Sequence, residues 1–328
     1  MKRFLAYWVT VFAAMCANAA HAQMKATAQN VPEIPYESVR NFLRLPANLY
    51  LGEAIGVATN SKGHVFVYTR SANTRLFEFD QNGKYVREVG EGLYGFEFAH
   101  SVRVDPEDNI WVVDEGANLV IKFNPEGRVV MVLGHRPEVV AGAIATAAGP
   151  TTPAEKYTFS NRVVKYDKNG RFLKQVGSEK AGREPGQFNL PHAIAADGKG
   201  NVYVSDRGNN RTQVFDNDLI FKTSYENVGT AWTVCISPGP HQYLFTSNSN
   251  PNGNPPGSWD ITGEIYKMEL DGTILGRFGH ASKQFGGFQV VHMMDCRNPN
   301  EIIVAEIESW RVQKLMLKPP QTKISYAK

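Results

Sequence analysis

Residues 188–215 read FNLPHAIAADGKGNVYVSDRGNNRTQVF. An apolar run carries His192, a turn follows at Asp197–Gly198–Lys199–Gly200, and NVYVSD reads as a second strand rich in β-branched and aromatic residues. A polar turn, RGNNR, then leads to a third strand, TQVF. The same order recurs at residues 96–123, FEFAHSVRVDPEDNIWVVDEGANLVIKF, and at residues 288–315, FQVVHMMDCRNPNEIIVAEIESWRVQKL. Each copy places a histidine at the start of its first strand: His100, His192 and His292.

A second marker runs through the chain, an acid or Asn followed three residues later by Gly and then by a short strand. It reads DQNGKYVREVG from Asp80, NPEGRVVMVLG from Asn124 and DKNGRFLKQVG from Asp167, with a looser copy, LDGTILGRFG, from Leu270. Gly83, Gly127 and Gly170 are 44 and 43 residues apart, and the three histidines are 92 and 100 apart, two units each time. A period in the forties with about four short strands per unit is the signature of propeller blades. Helical periodicity is absent, so the chain is predicted to be all-β, a six-bladed β-propeller.

Unit one runs from Ile55 to Gly90, unit two from His100 to Gly134, and unit four from His192 to Tyr225. Unit three ends with NRVVKYD and RFLKQVG, and unit five takes TVCISP, QYLFTSN, EIYKMEL and ILGRFG. Unit six offers three strands, ending at KLMLKP, and the segment from Ser38 to Pro46 is predicted to add the fourth and close the ring. Between Gly134 and Asn161 the sequence is Ala/Gly/Pro/Thr-rich and poorly patterned, so blade three is expected to be incomplete. Asn248 to Gly263 reads as a long loop overhanging one face.

The chain's beginning has another character. Lys2 and Arg3, an apolar run from Phe4 to Cys16, and Ala20-His21-Ala22 before Gln23 form the pattern of a secretory signal peptide over residues 1–22. Residues 23–35 are expected to be disordered, residues 36–320 to form a single propeller domain, and residues 321–328 to be a tail. The expectation is a chain exported to a periplasm or outside the cell, with no membrane span. Without Lys2 and Arg3 the formal charge falls from +3 to +1, and no basic run offers a footprint for nucleic acid. Cys235 and Cys296 remain, in the first strands of neighbouring units, and the sequence leaves open whether they pair or stay buried thiols.

The first strand of each blade lines a propeller's channel. Histidines on units two, four and six would be related by a three-fold turn, so their imidazoles can converge and leave a fourth position open, as in a catalytic zinc site. The bland alternative is three unrelated polar residues on a wet wall. Arg70 and Arg207 end the second strands of units one and four, where a pair of guanidinium groups could clamp a carboxylate. Asp114, Asp206 and Glu306 hold matching second-strand ends, which favours a structural turn role. Tyr157 precedes the third strand of unit three and could act as a base if its pKa were lowered.

The repeats resemble the NHL-repeat propellers. More closely, FEFAHSVRVDPEDNIWVVDE, FNLPHAIAADGKGNVYVSDRGNNR and the late HMMDC, VAE and WRVQKL are similar to the peptidyl-α-hydroxyglycine α-amidating lyase (peptidylamidoglycolate lyase) family, over about Gly56 to Leu315. The resemblance implies a zinc held by His100, His192 and His292, substrate contacts from Arg70 and Arg207, and Tyr157 as base. It also implies a calcium bound through backbone carbonyls at positions such as Val57 and Val102. Where that family has an acid directly after the third histidine, this chain has Met293, with Asp295 close by. The implied reaction cleaves a carbon–nitrogen bond of an N-(α-hydroxy) carboxylate, a small molecule or peptide, to an amide and glyoxylate. The alternative is a non-catalytic NHL-type propeller that binds a protein or other ligand. A gluconolactonase-type calcium hydrolase ranks last, since no carboxylate and amide ligand set is visible for the channel.

Overall fold

The computed structural model describes residues 31–318 apart from 72, 94, 135–160, 227 and 250–262. A short strand, β1 (Tyr36–Ser38), comes first. Blade one follows as β2 to β5 (Glu53–Thr59, Val65–Arg70, Arg75–Phe79, Tyr85–Val89). Blade two is β6 to β9 (Ala99–Val104, Ile110–Asp114, Leu119–Phe123, Val129–Gly134). The third unit is a two-stranded sheet of β10 (Asn161–Tyr166) and β11 (Phe172–Ser178). Blade four is β12 to β15 (Pro191–Ala196, Val202–Asp206, Arg211–Phe215, Phe221–Tyr225), and blade five is β16 to β19 (Ala231–Ile236, Tyr243–Asn248, Glu264–Glu269, Ile274–Phe278). Blade six takes β20 to β22 (Val291–Asn298, Glu301–Glu306, Arg311–Leu317) and adds β1 at its outer edge.

Among the described residues the propeller therefore has five four-stranded blades, not six. The shortfall lies at the third unit, whose expected first two strands fall in 135–160, outside the described residues. Residues 1–22, expected to be a signal peptide, residues 321–328 and most of the loop after Asn248 also lie outside them.

The recurring turn marker has a local cause. Asp167 Oδ1 accepts the N–H groups of Asn169 (2.8 Å) and Arg171 (2.9 Å), and Gly170 takes φ +79°, which a side chain would oppose. Asp80 and Asp197 cap their own turns in the same way. These turns reverse the chain between the outermost strands, or between the first and second.

The core lies between blades. Ile55, Tyr68 and Leu76 of blade one pack on Val102, Ile110 and Phe123 of blade two. Phe245, Ile265 and Phe278 of blade five pack on Val291, Met294 and Val304 of blade six. Val57 and Phe77 of blade one meet Ile303 and Ala305 of blade six, which completes the seam. Cys235 and Cys296 form a disulfide between the first strands of blades five and six, with Cα atoms 6.1 Å apart. Closing a loop across a sequence separation of 61 contributes about 4 kcal/mol by chain entropy.

Two expectations about the N-terminal segment are corrected. The closing strand is Tyr36–Ser38, paired Tyr36 to Leu317 and Ser38 to Leu315, rather than a strand running on toward Pro46. Leu45 and Leu49 instead pack in the seam core, and Arg44 bridges Lys84 of blade one. Residues 31–35 are not loose: Ile34 N–H donates to the Arg277 carbonyl at 2.7 Å, and Arg277 N–H to that of Pro32 at 3.0 Å. They cover the free edge of blade five, where an unpaired row of backbone groups would otherwise remain. Among the described residues no helix is long and apolar enough to cross a membrane.

Candidate metal centre

Each of the three histidines sits where its first strand slips register against the second. Ala99 pairs with Asp114 and Ser101 with Val113, so His100 has no residue opposite. His192 is skipped between Pro191 and Ala193, and His292 between Val291 and Met293. A bulge of this kind turns one side chain out of the strand's alternation. The break recurs at Ile55 in blade one and at Trp232 in blade five.

The bulges bring the imidazoles together. Ring centroids are 5.1 Å apart for His100–His192 and His100–His292, and 4.7 Å for His192–His292. One ligand nitrogen from each lies within 4.8 Å of the others. Their outer nitrogens are held: His192 Nδ1 is 2.6 Å from the carbonyl oxygen of Trp232, and His292 Nδ1 is 2.7 Å from that of Ile55. A carbonyl can only accept, so Nδ1 carries the proton and Nε2 keeps its lone pair. Blades four and six thus supply imidazoles, while the bulges of blades five and one supply the carbonyls that orient them. For His100 the partner is different. Its Nδ1 is 3.0 Å from Glu115 Oε2.

Electrostatics keep the cluster ready for a cation. Burial holds His192 well below the ordinary histidine range, and the charges of His292, His100 and Arg207 add to it. Burial likewise lowers His292, with His100 next and the Ile55 carbonyl opposing. Burial pushes the Glu115 carboxyl up, but His100, Arg70 and Arg207 outweigh it and leave it below the usual carboxylate range. Three imidazoles, two of them anchored through Nδ1 on backbone carbonyls, fit a first-row divalent metal.

Beside this cluster lies a cavity of about 230 Å³, lined by His100, His192, Glu115, Leu190, Pro191 and Arg207. Arg207 stacks its guanidinium over Trp232 at 4.3 Å, and its buried Nε has no hydrogen-bond partner among the described residues. Burial lowers this guanidinium to about 10, against the pull of Glu115, so it stays charged at neutral pH. Arg70 is fixed by Glu53 (Nε to Oε2, 2.8 Å) and stacks over Phe98 at 4.0 Å, close enough to act on both Glu115 and His292. Tyr157 lies outside the described residues.

The second-strand acids are engaged elsewhere. Asp114 accepts from Tyr68 Oη (2.9 Å), Phe98 N (3.0 Å) and Ala117 N (2.7 Å). Asp206 accepts from Asn189 N and Arg211 Nε, and Glu306 from Gln313 Nε2 and Arg311 Nε. Sequence reading missed Glu115 and Trp232, although a signal existed. Glu115 follows Asp114 as Arg207 follows Asp206, and Trp232 in TAWTVCIS holds the place of His192 in LPHAIAAD.

The calcium implied at Val57 and Val102 does not fit. Arg103 Nη1 donates to the Val102 carbonyl at 3.3 Å and lies 3.6 Å from Met293 Sδ. A hard dication wants oxygen ligands, and here it would meet a guanidinium and a thioether. Asp295 is no substitute, because its carboxylate accepts Thr59 N (2.8 Å), Thr59 Oγ1 (3.1 Å) and Arg297 N (3.1 Å).

Comparison with known proteins agrees with this architecture. A family model for the NHL repeat matches residues 188–215. The chain is 28% identical to NHL repeat-containing protein 3 of Mus musculus, over 81% of this chain and 80% of that protein. It is 26% identical to peptidyl-alpha-hydroxyglycine alpha-amidating lyase 1 of Drosophila melanogaster, over 82% of this chain and 58% of that one. It is 26% identical to a probable lyase of the same name from Caenorhabditis elegans, over 52% of this chain and 57% of that one. Among solved structures, a streptogramin B lyase shares the fold at 15% identity, with a TM-score of 0.52, over 87% of this chain and 98% of that one. The chain is a β-propeller that carries an NHL repeat at residues 188–215 and resembles the peptidyl-α-hydroxyglycine α-amidating lyases.

Proposed function

We propose that the chain is an exported, zinc-dependent carbon–nitrogen lyase that cleaves N-acyl-α-hydroxyglycines, small or peptidyl, to an amide and glyoxylate. The observation that carries this reading is the convergence of three imidazoles, two with Nδ1 anchored on a carbonyl, beside an arginine whose buried Nε has no partner among the described residues. The disulfide and the N-terminal sequence support export to an oxidising compartment.

His100, His192 and His292 would hold the zinc, which when bound supplies Lewis acidity toward a substrate oxygen. Arg207, with Arg70 beside it, binds the substrate carboxylate. The stack on Trp232 fixes the guanidinium plane, and carboxylate oxygens can complete its hydrogen bonds. Tyr157, assigned on the resemblance, takes the proton of the carbinol hydroxyl. The oxygen's electron pair forms the aldehyde C=O, the C–N bond breaks, and its pair goes to nitrogen, which takes up a proton. The products are the primary amide and glyoxylate, with no oxidant or reductant required.

The test is direct. Protein holding one zinc per chain is incubated with an N-acyl-α-hydroxyglycine, and glyoxylate and amide are quantified. Equal yields of both, lost in His192→Ala, are expected. Neither product above the His192→Ala background would overturn the reading. In that event the second reading stands: a ring that binds a protein or other ligand without turning it over.

A further inference from the structure

Three residues along β6 from His100 the channel meets a different group. At about 3.3 Å per residue that is roughly 10 Å further in. Here Arg103 extends its guanidinium across the channel from blade two toward blade six. Its Nη1 donates to the Val102 carbonyl (3.3 Å) and touches Met293 Sδ (3.6 Å). Among the described residues no carboxylate makes an ion pair with it, and the nearest acid acting on it, Asp295, is bound to Thr59 and to the Arg297 N–H. Arg103, Asp295 and Met294 line one wall of a cavity of about 650 Å³. Burial pulls the guanidinium down to about 10, with Asp295 opposing, so it is a cation at neutral pH.

First strands from separate blades face one another here, and Gly56 of blade one comes so near β6 that a Cβ would stand 2.8 Å from the Val102 nitrogen. Backbone this close, with a carbonyl turned to the channel and a carboxylate one step away, is suited to a central positive charge. A metal ion is one way to supply it, and a side chain long enough to reach is another. The thioether of Met293 accommodates a diffuse guanidinium but contributes nothing to a hard dication.

We propose that the Arg103 guanidinium is the channel's resident cation, standing where a divalent ion would otherwise join blades two and six, so that this ring needs no calcium. The pair Arg103 and Met293 is then an exchange of a charged side chain for a metal and its carboxylate ligand. Reversing the exchange should open a cation site, and this claim does not rest on the lyase reading.

The experiment compares melting of metal-free wild type with that of an Arg103→Met/Met293→Asp double variant, each with and without calcium. Wild type should shift by less than about 2 °C, and calorimetry should show no stoichiometric calcium uptake. The double variant should melt lower without calcium. It should recover by roughly 5–10 °C with calcium at about 100 times its Kd, binding one ion per chain. Calcium uptake near one per chain by wild type would overturn the proposal, and that arm needs no variant to fold. A folded double variant indifferent to calcium would overturn it as well. Arg103→Lys, which keeps a charge on a shorter reach, should melt between wild type and Arg103→Met; equal melting of all three would count against a structural cation.

Discussion

Three acids and three imidazoles stand one step apart across the same ladders. Asp114, Asp206 and Glu306 lie opposite Ala99, Pro191 and Val291, each of which directly precedes a bulged histidine. All three acids are fully buried, and each accepts several hydrogen bonds, those to Asp114 including one from Tyr68 of blade one. His192 and His292 each place Nδ1 on a backbone carbonyl, and each of the three rings offers one ligand nitrogen within 4.8 Å of the others. The acids are wholly enclosed, whereas His100 and His192 stay partly open, and the two sets play different roles. A buried polar group whose bonds are complete fixes the fold, whereas one left with an open lone pair marks a place for something else.

The contrast can be broken at either side. The largest effect is expected from His292→Ala, which should abolish stoichiometric metal by plasma mass spectrometry while leaving the far-ultraviolet dichroism unchanged. One metal per chain retained by that variant would remove the trio as the site. Asp206→Ala should do the reverse. It leaves the buried Arg211 guanidinium without its 2.8 Å partner, and urea unfolding should show a loss of about 3–5 kcal/mol, with metal still bound by the folded protein. A loss below about 1 kcal/mol would place the pair with ordinary surface ion pairs.

Glu115 is intermediate, an acid that faces the imidazoles. Glu115→Ala should weaken metal binding by about 10–100-fold in a chelator competition, the usual cost of removing a partner behind a ligating histidine. An unchanged affinity would mean that the contact with His100 is incidental. Arg207→Met should have the smallest effect on stability, under about 1 kcal/mol, because a buried cation with incomplete bonding is replaced by apolar volume. A large destabilisation there would show that the guanidinium serves the fold and not a ligand.

Much of this was legible in the sequence, and the reason is repetition. The D-x-x-G turns announce themselves because one carboxylate must cap two N–H groups while a glycine takes positive φ. The shared position of His100, His192 and His292 follows from aligning units. The bulges that make those positions converge were not legible, because an extra residue in a strand leaves no mark on composition. Neither was the alternation of imidazoles with the carbonyls of Ile55 and Trp232, since every residue has a carbonyl. Arg103 was hidden differently: in HSVRVD it reads as an outward polar residue of a half-exposed strand, and only the narrow channel makes it a cation among backbones. The closing strand was misplaced because Tyr36–Ser38 is too short to show alternation, whereas the apolar residues after it pack on blade one.

That short strand also sets how the ring comes apart under load. Tyr36 pairs with Leu317, and the chain enters β1 at the same corner from which it leaves β22. A pull applied at Tyr36 and Leu317 would open this pair one hydrogen bond at a time, like a zipper, instead of loading all of them in shear. The disulfide bonds blade five to blade six and does not cross this latch. Once the latch parts, the hydrogen bonds from Thr59 to Asp295 and the apolar packing of Val57 and Phe77 on Ile303 and Ala305 still hold the seam. Mechanically the molecule is a belt with a weak buckle and a riveted link one hole away.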